Sequence, residues 1–222
     1  MLSGYGGEDV HIPNGSTLKL DIKPFMEALE ASNAPCGEYD SSKWLYVPNC
    51  YSEYRYILGT RGTNPLICIG INPSTAKPED LDNTLKSVQR IAEGNGFDSF
   101  IMFNVYAQRA TDPDSMEQSC NTLLHKENLN AFQYILSLSS NPVIWAAWGT
   151  IIEKRAYLKD CLLDMVNAGR EFQVKWCCAG AVSKKGHPHH PLYLKKDEKL
   201  KGFDIEAYLL GLGVANEIIN CV

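Results

Sequence analysis

The strongest constraint in this chain is a series of short apolar runs, each followed by a stretch with helical spacing. Leu66-Ile67-Cys68-Ile69-Gly70, Phe100-Ile101-Met102-Phe103 and Val143-Ile144-Trp145-Ala146-Ala147 are continuous apolar runs, and residues 172–178 form a fourth, strand-like stretch. A strand reads this way when both of its faces are covered. Between the runs, residues 79–93 place Leu81, Leu85, Val88 and Ala92 at helical spacing and end at Gly94 and Gly96. Residues 122–138 predict a second helix. Thr150 and Glu153 form a T-x-x-E capping box that predicts a third, running toward Gly169, and residues 205–212 predict a last one. Strands alternating with helices predict an α/β domain with a central, mostly parallel four-stranded sheet and right-handed crossovers. Residues 44–58 read as one or two further strands and residues 23–31 as a short helix. The expected organisation is an unassigned N-terminal extension over 1–43 and a single α/β domain over 44–222.

Composition removes several alternatives. With 45% hydrophobic residues spread through 222 positions, the chain carries too much apolar surface for a disordered protein. No apolar run approaches the roughly 18 residues of a membrane span, and residues 1–10 lack the basic start and apolar stretch of a secretory signal. A soluble, cytoplasmic protein is expected, with a monomer favoured. The eight cysteines include no C-x-x-C pair, which predicts reduced thiols packed as small hydrophobes rather than disulfides or a metal centre. There is no G-x-x-x-x-G-K-[ST] phosphate loop and no G-x-S-x-G nucleophile elbow. The net charge of −5 argues against indiscriminate binding to nucleic acid. The charge is uneven, however: residues 1–150 carry 10 basic and 17 acidic side chains, and residues 151–202 carry 11 basic and 6 acidic.

In a parallel α/β sheet, ligands gather beyond the carboxyl ends of the strands. Here those ends lead into Gly70-Ile71-Asn72-Pro73-Ser74-Thr75, Asn104-Val105-Tyr106, Trp148-Gly149-Thr150 and Ser183-Lys184-Lys185-Gly186-His187-Pro188-His189-His190-Pro191-Leu192-Tyr193. Polar and unusual residues therefore converge on one edge.

The order and spacing of these segments resemble the uracil-DNA glycosylase superfamily. Gly70-Ile71-Asn72-Pro73-Ser74 is similar to the Gly-Ile-Asn-Pro-Gly of its mismatch-specific branch, and Phe103-Asn104-Val105 to its Leu-Asn-Thr. Trp148-Gly149 and His190-Pro191-Leu192 resemble its Trp-Gly and His-Pro-Ser-Pro-Leu. More closely, Asn-Pro-Ser, Trp-Gly and His-Pro-Leu-Tyr occur in the same order in the family of domain of unknown function 1643, which brings no activity with it. The resemblance covers about residues 54–200. It implies a three-layer α/β/α sandwich of the uracil-DNA glycosylase type and hydrolysis of the N-glycosidic bond of a modified or mismatched base in DNA.

What the resemblance implies for each residue stands beside a plainer role. Asn72 would place a water at the sugar, or form an Asx turn before the helix. An amide cannot readily deprotonate water, and many superfamily members carry Asp in this loop; Asp82 would supply the carboxylate, or simply favour the helix N-terminus. Asp80 is read as such a terminal acid. Asn104 offers a donor and an acceptor to a base edge, or satisfies loop backbone. Tyr106 or Phe103 would stack on the base, or belong to the core. His190 would stabilise the departing base anion. A metal site is disfavoured, because adjacent His189 and His190 do not readily point at one ion. Leu192 would wedge into the gap left by a flipped nucleotide. Ser74, Thr75, Ser183, Lys184 and Lys185 are phosphate-contact candidates. No cofactor and no metal are expected. A small-molecule enzyme acting on free nucleosides or nucleotides, and a non-catalytic DNA-binding module, stay open beside the glycosylase.

Overall fold

The computed structural model describes residues 15–214. Cys221 and the N-terminal stretch read for a signal lie outside the described residues.

The predicted apolar runs form the middle of the sheet. β3 (Pro65–Gly70) is buried at every position and pairs in parallel with β4 (Ser99–Asn104) on one side and β5 (Val143–Ala146) on the other. β6 (Lys175–Ala179) continues the parallel set beyond β5. The sheet is wider than the four strands expected, and it is mixed. It has seven strands in the order β1-β2-β4-β3-β5-β6-β7. β1 (Trp44–Val47) and β2 (Ile57–Thr60) form an antiparallel pair that joins β4, also antiparallel. β7 (Leu200–Gly202) pairs antiparallel with β6. The last strand left no trace in the pattern because it has three residues and sits exposed at an edge, where no apolar alternation is required.

Side chains alternate between two cores, as strand geometry requires. Ile67 and Ile69 face a large cluster built with α1 (Phe25–Asn33), α3 (Thr122–Ser137), α4 (Tyr157–Gly169) and α5 (Ile205–Gly211). Leu66 and Cys68 face a smaller cluster built with α2 (Asn83–Gly94). Helices thus cover both faces of the sheet, and the protein is α/β.

Two helix starts differ from the sequence expectation. α2 begins at Asn83 rather than at 79, because Lys77 and Asp80 close a turn on each other and Glu79 takes a left-handed φ of 62°. Asp82 then caps the helix, its side chain accepting from the Leu85 N–H at 2.9 Å. The T-x-x-E box does not open α4. Gly149, at a φ of 60°, turns the chain into a separate 3₁₀ turn over Gly149–Glu153, and α4 begins at Tyr157 without a side-chain cap. The Glu153 carboxylate is instead taken by Lys185, at 2.7 Å.

Described residues before Trp44 pack into the main core. Phe25, Ala28 and Leu29 are buried there, and two buried carboxylates hold the segment by its backbone. Glu117 accepts from the Thr17 N–H at 2.6 Å and the Leu18 N–H at 3.1 Å. Glu127 accepts from the Phe25 N–H at 2.7 Å. The seven described cysteines are free; four are buried, Cys36 and Cys120 are partly exposed and Cys50 is exposed, so packing accounts for only part of the set. Among the described residues no helix is long and apolar enough to cross a membrane.

Candidate functional site

A cavity of about 360 Å³ opens at the carboxyl edge of the parallel strands, a size suited to a small-molecule moiety. Its walls come from the loop after β3, the loop after β4, the turn after β5, the first turn of α2 and the His-Pro loop that precedes β7. Asn72, Ser74, Thr75, Asp82, His190 and Leu192 all line it. Asn83, Thr84, Thr111 and Trp148 join them.

The Asn72 carboxamide is fixed by its donor end. Nδ2 donates to the Ala110 carbonyl at 2.7 Å and to the Pro73 carbonyl at 3.0 Å. With both amide protons engaged, the acceptor oxygen is the group that the side chain has left for a ligand. Asp82 combines its capping bond with a place on the cavity wall.

His190 is held by the turn that it opens. It caps a 3₁₀ turn over Pro191–Tyr193, with Nδ1 accepting from the Leu192 N–H at 3.4 Å. Ser87 of α2 fastens the same turn by donating to the Pro191 carbonyl at 2.8 Å. Desolvation lowers the His190 pKa below the ordinary imidazole value, with Asp82 acting in the opposite direction and His189 adding a smaller lowering. The neutral ring is therefore the form present at pH 7, and because Nδ1 accepts, its proton resides on Nε2. Leu192 and Tyr193 follow on the outer surface, 42% and 75% exposed.

The three histidines separate into different roles. His187 is 2% exposed and belongs to a polar chain beneath the site. The Trp148 indole N–H donates to the Tyr208 hydroxyl at 2.8 Å, and that hydroxyl lies 2.9 Å from His187 Nδ1. His187 Nε2 lies 3.7 Å from Glu153. Burial lowers the His187 pKa in spite of Glu153. Since the native state disfavours the charged ring, His187 contributes stability above pH 6.5 that is lost as pH falls toward its depressed native value. Urea unfolding at a series of pH values between about 7.5 and 5 is expected to show stability falling with acidification, less steeply in His187→Phe than in the wild type. Equal slopes in the two proteins would refute this assignment.

Other predicted residues stand elsewhere. Phe103 is fully buried against Phe132. Tyr106 is fully buried, and its hydroxyl donates to Glu117 at 2.8 Å. Neither ring lines the cavity. Asn104 is 1% exposed and lies behind the wall, where its Oδ1 meets Arg55 at 3.5 Å and its Nδ2 has no partner. Lys184 and Lys185 are exposed, and Lys185 lines a different cleft with Phe203 and Tyr208.

Sequence reasoning missed Arg55 and Arg109, which are 1% and 0% exposed and hold the backbone of the Ser74–Ala76 loop from below. Their one signal was position, since Arg55 falls within the strand-like residues 44–58 and Arg109 closely follows the 100–103 run.

No curated protein and no solved structure matches the chain. A family described as protein of unknown function (DUF1643) matches residues 55–192, more than half of the sequence, and the chain belongs to that family.

Proposed function

We propose that this cavity hydrolyses the N-glycosidic bond of a modified or mismatched nucleotide flipped out of DNA, in the manner of the uracil-DNA glycosylase superfamily. The observation that carries the reading is convergence: Asn72, Asp82 and His190, from three separate segments, line one cavity with Leu192 at its edge. In this reading the bond between C1′ and the base nitrogen breaks, and its electron pair leaves with the base. The Nε2–H of neutral His190 donates to the base anion as charge develops on it. The Asn72 oxygen orients a water toward C1′, and the Asp82 carboxylate takes the proton that this water releases. Leu192 fills the space vacated by the extruded nucleotide. Phe103, Tyr106 and Asn104 are set back from the cavity, so Asn83 and Thr84 are better placed to meet the base edge.

One observation favours a second reading, hydrolysis of free nucleosides or nucleotides: no lysine or arginine lines the cavity. Both are tested by incubating the full chain with duplexes containing uracil, thymine–guanine mismatches or modified cytosines, alongside the matching nucleosides and nucleotides. Alkali-labile abasic sites that appear with wild type and not with Asn72→Ala support the glycosylase. Base release from mononucleotides alone supports the second reading, and release from neither panel overturns both.

A further inference from the structure

The buried arginine pair has no carboxylate partner in an ion pair among the described residues, although a buried charge is normally paired. Instead the two side chains bind backbone. Arg55 Nη1 donates to the Ala76 carbonyl at 3.0 Å, and Arg109 donates to the Ser74 carbonyl and to the Tyr46 hydroxyl, the latter at 3.0 Å. Arg109 also stacks on the Tyr51 ring at 4.2 Å. Both Nε atoms are buried without a partner. Burial, and secondarily Arg109, lower the Arg55 pKa to about 9, which leaves it charged at neutral pH.

These bonds orient the turn above them. In a trans peptide the carbonyl and the N–H point in opposite directions. With the Ser74 carbonyl drawn down onto Arg109, the N–H of Thr75 faces away from the guanidiniums. Ser74 and Thr75 themselves line the cavity. A guanidinium on the carbonyl polarises the peptide and strengthens the opposite N–H as a donor. An N–H, two hydroxyls able to donate and two cations behind them match the donor chemistry that anionic oxygens require.

We infer that the Ser74–Thr75 turn is an anion subsite that receives one phosphate of the substrate. The Thr75 N–H and the Ser74 and Thr75 hydroxyls are its donors, and Arg55 and Arg109 are positioning residues behind it. The inference rests on the proposed function only for the choice of cavity, since it requires binding and no bond cleavage.

The test measures equilibrium binding to the full chain by calorimetry, with two probe pairs that carry no base. The first pair is 2-deoxyribose 5-phosphate against 2-deoxyribose. The second is a duplex with a tetrahydrofuran abasic site, its neighbouring linkage either a phosphodiester or a neutral methylphosphonate. The charged member of at least one pair is expected to bind about tenfold more tightly, which is the scale of one charge-assisted contact. A preference in the first pair only identifies a free sugar phosphate, and in the second only a DNA backbone. Removing the hydroxyls with Ser74→Ala and Thr75→Val should reduce the preference to what the Thr75 N–H alone supplies without moving the melting temperature, while Thr75→Ser, which keeps a hydroxyl, and His190→Ala should retain it. Arg109→Lys should keep more of it than Arg109→Met, and a folded Arg109→Met with the full preference would overturn the arginines' part. Equal affinities within both pairs, or no binding by either charged probe at about 10 mM, the weak limit for one contact site, would overturn the subsite. Loss of glycosylase activity in the earlier assay has no bearing on these results.

Discussion

Replacing Glu117 with leucine is expected to destabilise the protein by about 3–5 kcal/mol, the range seen when one member of a buried charged network is removed. Glu117 is 8% exposed. It accepts from the backbone of Thr17 and Leu18, from the Thr17 and Ser16 hydroxyls, and from the Tyr106 hydroxyl. A leucine fills comparable volume, but it leaves two backbone N–H groups and the Tyr106 hydroxyl without an acceptor. The effect should appear in urea unfolding as a lower midpoint. Glu117→Gln, which keeps an acceptor oxygen, should lose less than half as much. A cost below about 1 kcal/mol for the leucine variant would mean that water replaces the carboxylate and that residues 16–18 are not tied to the core in the manner described.

If the glycosylase reading holds, His190→Ala should slow base release by about 10²–10³-fold, the usual cost of removing one donor aimed at developing negative charge. His190→Gln should recover part of this loss, because its amide can donate from a similar distance. The pH profile separates the two ways in which an imidazole can help. A protonated histidine acting as an acid loses its power as pH rises through its pKa. Here desolvation holds the pKa low, and the Nε2–H of the neutral ring is the donor. Single-turnover rates should therefore stay level from about pH 7 to 9, above the titration range of such a histidine. A rate that falls steadily across that interval would contradict a neutral donor, even if His190→Ala proved inactive.

The parts of this architecture that sequence revealed are those in which burial leaves a pattern. The runs at 66–70, 100–103 and 143–147 announce β3, β4 and β5 because both faces are covered, and the spacing of Leu85, Val88 and Ala92 announces α2. β7 lacks such a pattern because Lys201 and Gly202 face solvent. The start of α2 was hidden because a left-handed Glu79 leaves no sign in composition, so Leu81 reads as helical although it precedes the cap. In the cavity, Asn72, Asp82 and His190 were legible because strand ends and the following helix start converge by topology. Phe103 and Tyr106 share that neighbourhood, but they are turned into the large cluster. The three histidines look alike in the sequence; Tyr208 and Glu153 draw His187 inward, while the Ser87 bond to Pro191 keeps His190 beside the cavity. Arg55 and Arg109 were the least accessible, because their partners are main-chain carbonyls about 20 to 35 positions away.

The attachment of the His-Pro loop to α2 has a temporal consequence. Ser87 reaches Pro191, Arg90 reaches the Lys196 carbonyl, and the Asn95 side chain binds the backbone of Glu198 and Leu200, across separations of 103 to 106 positions. A growing polypeptide therefore carries Asn72 and Asp82 long before the opposing wall has been synthesised. The cavity closes only when the segment through Leu192 has left the ribosome and docked, so a shorter chain holds Asn72 and Asp82 without the His190 wall that faces them.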